Sequence, residues 1–80
     1  MKIQLLFFGI ATDMTGQNSI AYSLTEKATV KQLKEALLKD YSGLKNIQEF
    51  AIAVNEEYAT DEIMIKEGDV IAIIPPVSGG

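Results

Sequence analysis

The chain contains no cysteine and no histidine in its 80 residues. Without cysteine there is no disulfide staple, no thiolate nucleophile and no thiolate metal site. Without histidine there is no ready general base near neutral pH and no common zinc ligand, so no metal site is expected. Carboxylates, hydroxyls and the chain termini are the chemistry that remains, and a self-sufficient enzyme is not expected from them. Basic residues are also scarce, seven against eleven acids, for a net charge of −4. That balance argues against nucleic acid, whose binding is driven by Lys and Arg displacing counterions from phosphates, and favours a basic protein partner. Long apolar runs are missing too. Residues 3–11 form the best one, but Gln4 interrupts it and it falls far short of the ~20 residues a membrane span needs. Removing it as a secretory signal would delete the best strand in the chain, so the protein is expected to be cytoplasmic, with no membrane partner.

What is present suffices for one domain. A chain of this length buries only roughly 60% of its unfolded surface, which suits one helix packed on one sheet, an α+β architecture. Ile3, Leu5 and Phe7 alternate with Lys2, Gln4, Leu6 and Phe8, the period of a strand, and Gly9 is expected to end it. After a loop through Thr12, Asp13 and Gly16, the alternation of Ile20, Tyr22 and Leu24 with Ala21 and Ser23 predicts a return strand. Thr29 stands three residues before Gln32, the spacing of a capping box, so a helix is predicted from Val30. Val30, Leu33, Leu37 and Tyr41 form its apolar stripe, Lys31, Lys34, Glu35 and Lys39 its outer side, and Ser42-Gly43 its stop. Residues 51–54 then read as a strand, Asn55-Glu56-Glu57 as a turn, Tyr58-Ala59 as a short partner strand, and residues 70–74 as a last strand entered through Glu67-Gly68-Asp69. Pro75-Pro76 must end it, because neither residue can donate to a ladder. The predicted order is ββαβββ, with a domain over 1–76 and a mobile tail over 77–80, too small in side chain to pack.

Two features outlast this assignment. If Ile3, Leu5, Phe7, Ile71 and Ile73 face the helix, alternation sends Leu6, Phe8, Val70, Ala72 and Ile74 to a side that one helix cannot cover. If the first and last strands are neighbours, these residues make one apolar patch of the kind that marks a protein interface; cover by loops is the competing reading. The second feature is the ending Gly79-Gly80 after a diproline. A glycine carboxylate has no Cβ beside it, so such a tail can thread a narrow channel and its carbonyl can be attacked without hindrance once activated. The six acids between Glu56 and Asp69, against the single Lys66, read as a solvated acidic face.

Taken together, the opening Leu6-Phe7-Phe8, Ala53-Val54-Asn55, the turn Lys66-Glu67-Gly68-Asp69 and the ending Pro75-Pro76-Val77-Ser78-Gly79-Gly80 resemble the MoaD-type sulfur carriers, the small subunits of molybdopterin synthase. The resemblance spans the whole chain. It implies a ubiquitin-like β-grasp fold, a mixed sheet covered on one face by one main helix, with a flexible C-terminal Gly-Gly tail. It further implies that an ATP-dependent activating enzyme, similar to those that activate ubiquitin, adenylates Gly80 and that a sulfur donor enzyme turns it into a thiocarboxylate. The tail, with Gly79 as its steric requirement, would then enter the large subunit and give its sulfur to cyclic pyranopterin monophosphate, forming the dithiolene of molybdopterin within a heterotetramer. No bound cofactor is implied; the thiocarboxylate is a modification of the main chain. Expected partner-binding residues are Leu6, Phe8, Val70, Ala72, Ile74, Pro75, Pro76, Val77 and Ser78. Members of the family often carry an Arg in the loop after the first strand, where this chain has Ile10-Ala11-Thr12-Asp13, so no role is carried onto Thr12.

Other readings stand beside this one. A thiamine-type sulfur carrier shares the fold and ending, but such carriers lack the Pro-Pro-Val-Ser run found at 75–78. A ubiquitin-like protein modifier would join Gly80 to a target lysine. An acidic binding module with an inert tail would leave both the glycines and the apolar outer face without a use.

Overall fold

The computed structural model describes residues 1–24 and 27–76. Val77, Ser78, Gly79 and Gly80, the expected tail, lie outside the described residues. Strand β1 (Lys2–Phe7) pairs antiparallel with β2 (Ser19–Ser23), Leu5 opposite Ile20. On its other side β1 runs parallel to β7 (Val70–Ile74), with Leu6 opposite Ala72 and Phe7 opposite Ile73. Antiparallel pairs of β7 with β4 (Ala51–Val54), and of β4 with β5 (Glu57–Ala59), complete a five-stranded sheet of order β2-β1-β7-β4-β5. The first and last strands are therefore its central pair. Helix α2 (Val30–Asp40) lies in the long connection that makes this parallel pair possible. This mixed sheet with one main helix is the expected β-grasp architecture.

The helix starts where its cap dictates. Gln32 N–H donates to Thr29 Oγ1 at 3.3 Å, and Thr29 N–H donates to Gln32 Oε1 at 2.9 Å, so the predicted capping box is formed. The orphan N–H groups of Val30 and Lys31 donate to the carbonyls of Ile63 and Asp61. Val30, Leu33 and Leu37 are fully buried with Leu5, Ile52, Ile71 and Ile73 from the sheet, and Tyr41 meets Phe7 edge to face at 6.0 Å. Each such aliphatic side chain is worth about 1.5–3 kcal/mol of burial. Ile3, Leu5, Phe7, Ile71 and Ile73 all face this core, as alternation required.

Several local expectations are corrected. Strand β1 stops at Phe7, and residues read as loop form a short helix, α1 (Ile10–Thr15). Six residues offer too little periodicity to betray a helix, and only Ala11 on it is buried. The stop of α2 comes at Tyr41, with φ −129°, just before the expected Ser42-Gly43. Lys34, placed on the outer side, is 6% exposed: its stem follows the helix flank into the interior while Nζ reaches Asp61 at 3.1 Å. Two further short strands, β3 (Ala28–Thr29) and β6 (Met64–Ile65), pair with each other, too brief for any alternation to announce them. Leu44 and Ile47, at the start of a 3-10 turn (Ile47–Glu49), are fully buried and fill the part of the core that an 11-residue helix does not reach.

The recurrent turns also acquire structural reasons. Asn55 and Glu56 both have positive φ, 51° and 72°, as a two-residue hairpin loop of the right twist demands. Asn55 then ties this hairpin to β7, since Val70 N–H donates to its Oδ1 at 2.9 Å and its Nδ2 donates to Asp69 Oδ1 at 2.9 Å. Asp69 in turn accepts from Lys66 N–H, and the Glu67-Gly68-Asp69 segment bonds the backbone of Lys2 and Gln4. Ala53-Val54-Asn55 and Lys66-Glu67-Gly68-Asp69 are thus the joinery of the central strands.

Candidate functional site

The five-stranded sheet has a second face, and no helix of the described residues covers it. Register decides what stands there, because paired residues point the same way. One row across the sheet reads Ser19, Leu6, Ala72, Ala53 and Tyr58; beside it run Gln4 with Val70, and Ile74 with Ala51. Phe8 follows β1 at the same edge as Ile74, its N–H donating to Ile73 O at 3.2 Å. Phe8 is 48% and Val70 39% exposed, while Leu6, Ala72 and Ile74 are half-buried. All five residues assigned by alternation therefore lie on one continuous apolar surface.

Sequence reading missed three members of it. Ala51 and Ala53 lie in an apolar run without alternation, and Tyr58 in a strand of three residues, so no period assigns them to a face. Tyr58 is 79% exposed, the most open of the large apolar side chains, and its strand-mates' pairing was the signal that could have placed it opposite Ala53. The three alanines of β4 and β7 make a shallow trough with Tyr58, Leu6 and Phe8 standing around it. Such a trough suits a flat apolar surface of a partner better than a small molecule.

At one end of this face the chain leaves the sheet through Pro75, which is half-buried, and Pro76, which is exposed. Gly9 packs against that exit: a Cβ built on it would come within 3.2 Å of Pro75 Cγ, and its φ of +55° is one that side chains rarely adopt. Helix α1 braces the same corner. Ala11 N–H donates to Phe8 O, Thr12 N–H to Gly9 O, and the Thr12 hydroxyl to Phe7 O at 2.9 Å. Thr12 therefore has a structural use where the family often has Arg, and Ile10 beside it is 50% exposed. Proline ring, glycine and helix together hold the chain where it leaves β7 at Pro75. The sites expected at Val77, Ser78, Gly79 and Gly80 lie outside the described residues.

Electrostatics add little to this face. Tyr22, on the core side of β2, has its hydroxyl pKa raised, first by burial and then by its hydrogen bond to Asp40. Among the described residues no three of Asp, Glu, His or Cys gather as a metal site. Likewise, no helix of the described residues is long and apolar enough to cross a membrane.

Comparison with known proteins gives a consistent picture. The family model described as the ThiS family matches residues 5–80. The chain is 32% identical to the molybdopterin synthase sulfur carrier subunit of Caenorhabditis elegans, over 100% of this chain and 99% of that protein. Among solved structures it is similar to a chain of the complex of subunits 1 and 2 of molybdopterin-converting factor from Helicobacter pylori 26695, with 30% identity, 100% of both chains covered and a TM-score of 0.68. It is also similar to a putative molybdopterin converting factor, subunit 1, from Pyrococcus furiosus, with 27% identity over 95% of this chain and 98% of that one and a TM-score of 0.86.

Proposed function

The chain belongs to the ThiS family, and on that premise we propose that it is the sulfur carrier subunit of a molybdopterin synthase, working through Gly80. The observation that carries this reading is the continuity between the uncovered apolar face and the chain's exit. Phe8, Ile74 and Pro75 share one corner, so a partner seated on the face stands where a tail of four residues begins. The large subunit of the synthase is the partner that the relatives' names and the two-subunit complex support. The run Pro75-Pro76-Val77-Ser78 favours this synthase over a thiazole-directed carrier.

The chemistry follows from the ending. An activating enzyme adenylates the Gly80 carboxylate at the expense of ATP, a sulfur donor enzyme replaces the adenylate to leave a thiocarboxylate, and the sulfur passes to cyclic pyranopterin monophosphate in the large subunit. Gly79 keeps the last turn of backbone free of a Cβ, so the carbonyl can be approached within a narrow channel. The carrier supplies position and sulfur, and the activating enzyme and large subunit supply the catalytic groups, in the cytoplasm. Docking on an apolar face that is already ordered limits the entropy lost to the few residues of the tail.

Intact mass of protein isolated from its native host tests this directly. One oxygen replaced by sulfur at the C-terminus is expected. Deleting Gly80, or adding one residue after it, should leave the fold unchanged and abolish sulfur transfer. Full activity of an extended, uncleaved protein would overturn the reading.

A further inference from the structure

A second surface lies at the far end of the same sheet. Between β5 and β6 there is a groove of about 270 Å³, lined by Val54, Tyr58, Ala59, Ile63 and Met64, with Glu57, Lys66 and Asp69 among its polar neighbours. Two of its apolar members are open to solvent: Ile63 is 44% and Met64 47% exposed. Helix α2 does not extend over this part of the hairpin, which leaves the inner side of Val54 and Ala59 half-buried.

Strand β5 is the last of the sheet, so one of its edges is open. The two-residue loop makes Val54 and Glu57 a hydrogen-bonded pair, and Ala53 and Tyr58 therefore a non-bonded one. The N–H and C=O of Tyr58 consequently point away from β4, along the free edge. An added strand finds backbone partners there and an apolar slot beside them.

Charge selects the occupant. Exposed Glu57 lines the groove, exposed Glu56 precedes it in the hairpin loop, and Lys66 is the single cation among the lining residues. The Asp69 carboxylate is already engaged by Asn55 and by the Lys66 N–H. A second copy of this chain would bring the same acids against themselves, and anionic lipid or nucleic acid would be repelled in the same way.

We propose that the β5 edge and the groove between β5 and β6 dock an extended, Lys- or Arg-bearing segment of a partner protein, anchored by an apolar side chain. This site goes beyond the sulfur carrier reading and does not rest on it. Asp69, at one end of the groove, is separated from Pro75 by the five residues of β7, about 17 Å of strand, whereas Tyr58 is level with Ala72 and is shared with the outer face.

The test is an amide chemical-shift titration of the full chain with two pools of hexapeptides. One alternates Lys or Arg with Val, Ile, Leu, Phe or Tyr; the other replaces the basic positions by Glu or Asp. The expected result is shifts at Glu57, Tyr58, Ala59, Ile63, Met64 and Lys66 with the basic pool alone, weakened at least tenfold by raising salt from 0.05 to about 0.5 M. Met64→Asp, at an exposed position, should remove them without changing the thermal midpoint. Glu56→Lys with Glu57→Lys should reverse the preference between pools. Equal shifts from both pools, shifts confined to Phe8, Ala72 and Ile74, or no shift at millimolar peptide would overturn the proposal. So would the same shifts on concentrating the protein alone, which would mark self-association.

Discussion

Exchanging Phe7 or Phe8 for Asp turns the two-sidedness of β1 into a measurement. The neighbours have the same chemistry and opposite faces. Phe7 is 4% exposed, packed edge to face on Tyr41 at 6.0 Å. Truncating such a ring costs about 3–5 kcal/mol, and a carboxylate left unpaired in its place costs several more unless it takes up a proton. A domain of 80 residues has roughly 4–12 kcal/mol of stability in all. Phe7→Asp should therefore not fold at 25 °C. Phe8 is 48% exposed, so about half of the roughly 1.5–3 kcal/mol for a fully buried ring has been gained in the free protein. Phe8→Asp should cost the free domain only about 1 kcal/mol. The other half is gained on docking, and an unpaired carboxylate in the interface adds its own penalty, so affinity for the large subunit should fall at least tenfold, and about a hundredfold if 2.8 kcal/mol is lost. Ile73→Asp and Ile74→Asp repeat the comparison on β7, where Ile73 is fully buried and Ile74 half-buried. Thermal unfolding and calorimetric titration of the large subunit, run on all four variants, are the assays. Unfolding of Phe8→Asp with survival of Phe7→Asp would refute the assignment of faces; a folded Phe8→Asp with undiminished binding would refute the interface.

Three further outcomes follow from individual contacts. Thr29→Ala removes the hydroxyl that accepts from Gln32 N–H and should destabilise the domain by about 1 kcal/mol in urea titrations. Glu56→Gly relieves a side chain held at φ 72° in the hairpin loop and should raise stability by about 0.5–1 kcal/mol, read in the same titrations. Tyr22 has its folded pKa raised, chiefly by burial, so its contribution is fully present below the unfolded value of about 10 and is lost as pH rises towards the folded one. The alkaline fall in thermal midpoint above about pH 10 should accordingly be shallower in Tyr22→Phe.

Period and punctuation carried most of this protein at the level of the sequence. Alternation over residues 2–8 and 70–74 told core from outer face residue by residue, because a strand has only two sides and the register of one buried face fixes the other. Thr29 and Gln32 announced the start of α2 because a capping box is a local device whose partners are three residues apart. The diproline marked the end of the last strand for an equally local reason, the loss of two donors.

Long-range pairing was decided by the tertiary structure alone. Nothing local makes β1 and β7 parallel neighbours, yet that pairing turns Leu6, Phe8, Val70, Ala72 and Ile74 from an alternation on two segments into one surface. Tyr58 joins that surface only because β5 lies against β4 in a register set by a two-residue loop. The helix α1 and the strands β3 and β6, with six and two residues each, are held by contacts to the rest of the fold and so leave no period of their own. Lys34 belongs to the same class. Its place on the helical wheel is a boundary, and Asp61, 27 residues away, brings it inside. Sequence settles which faces exist; only the assembled sheet settles which residues share them, because a face is a property of several strands at once.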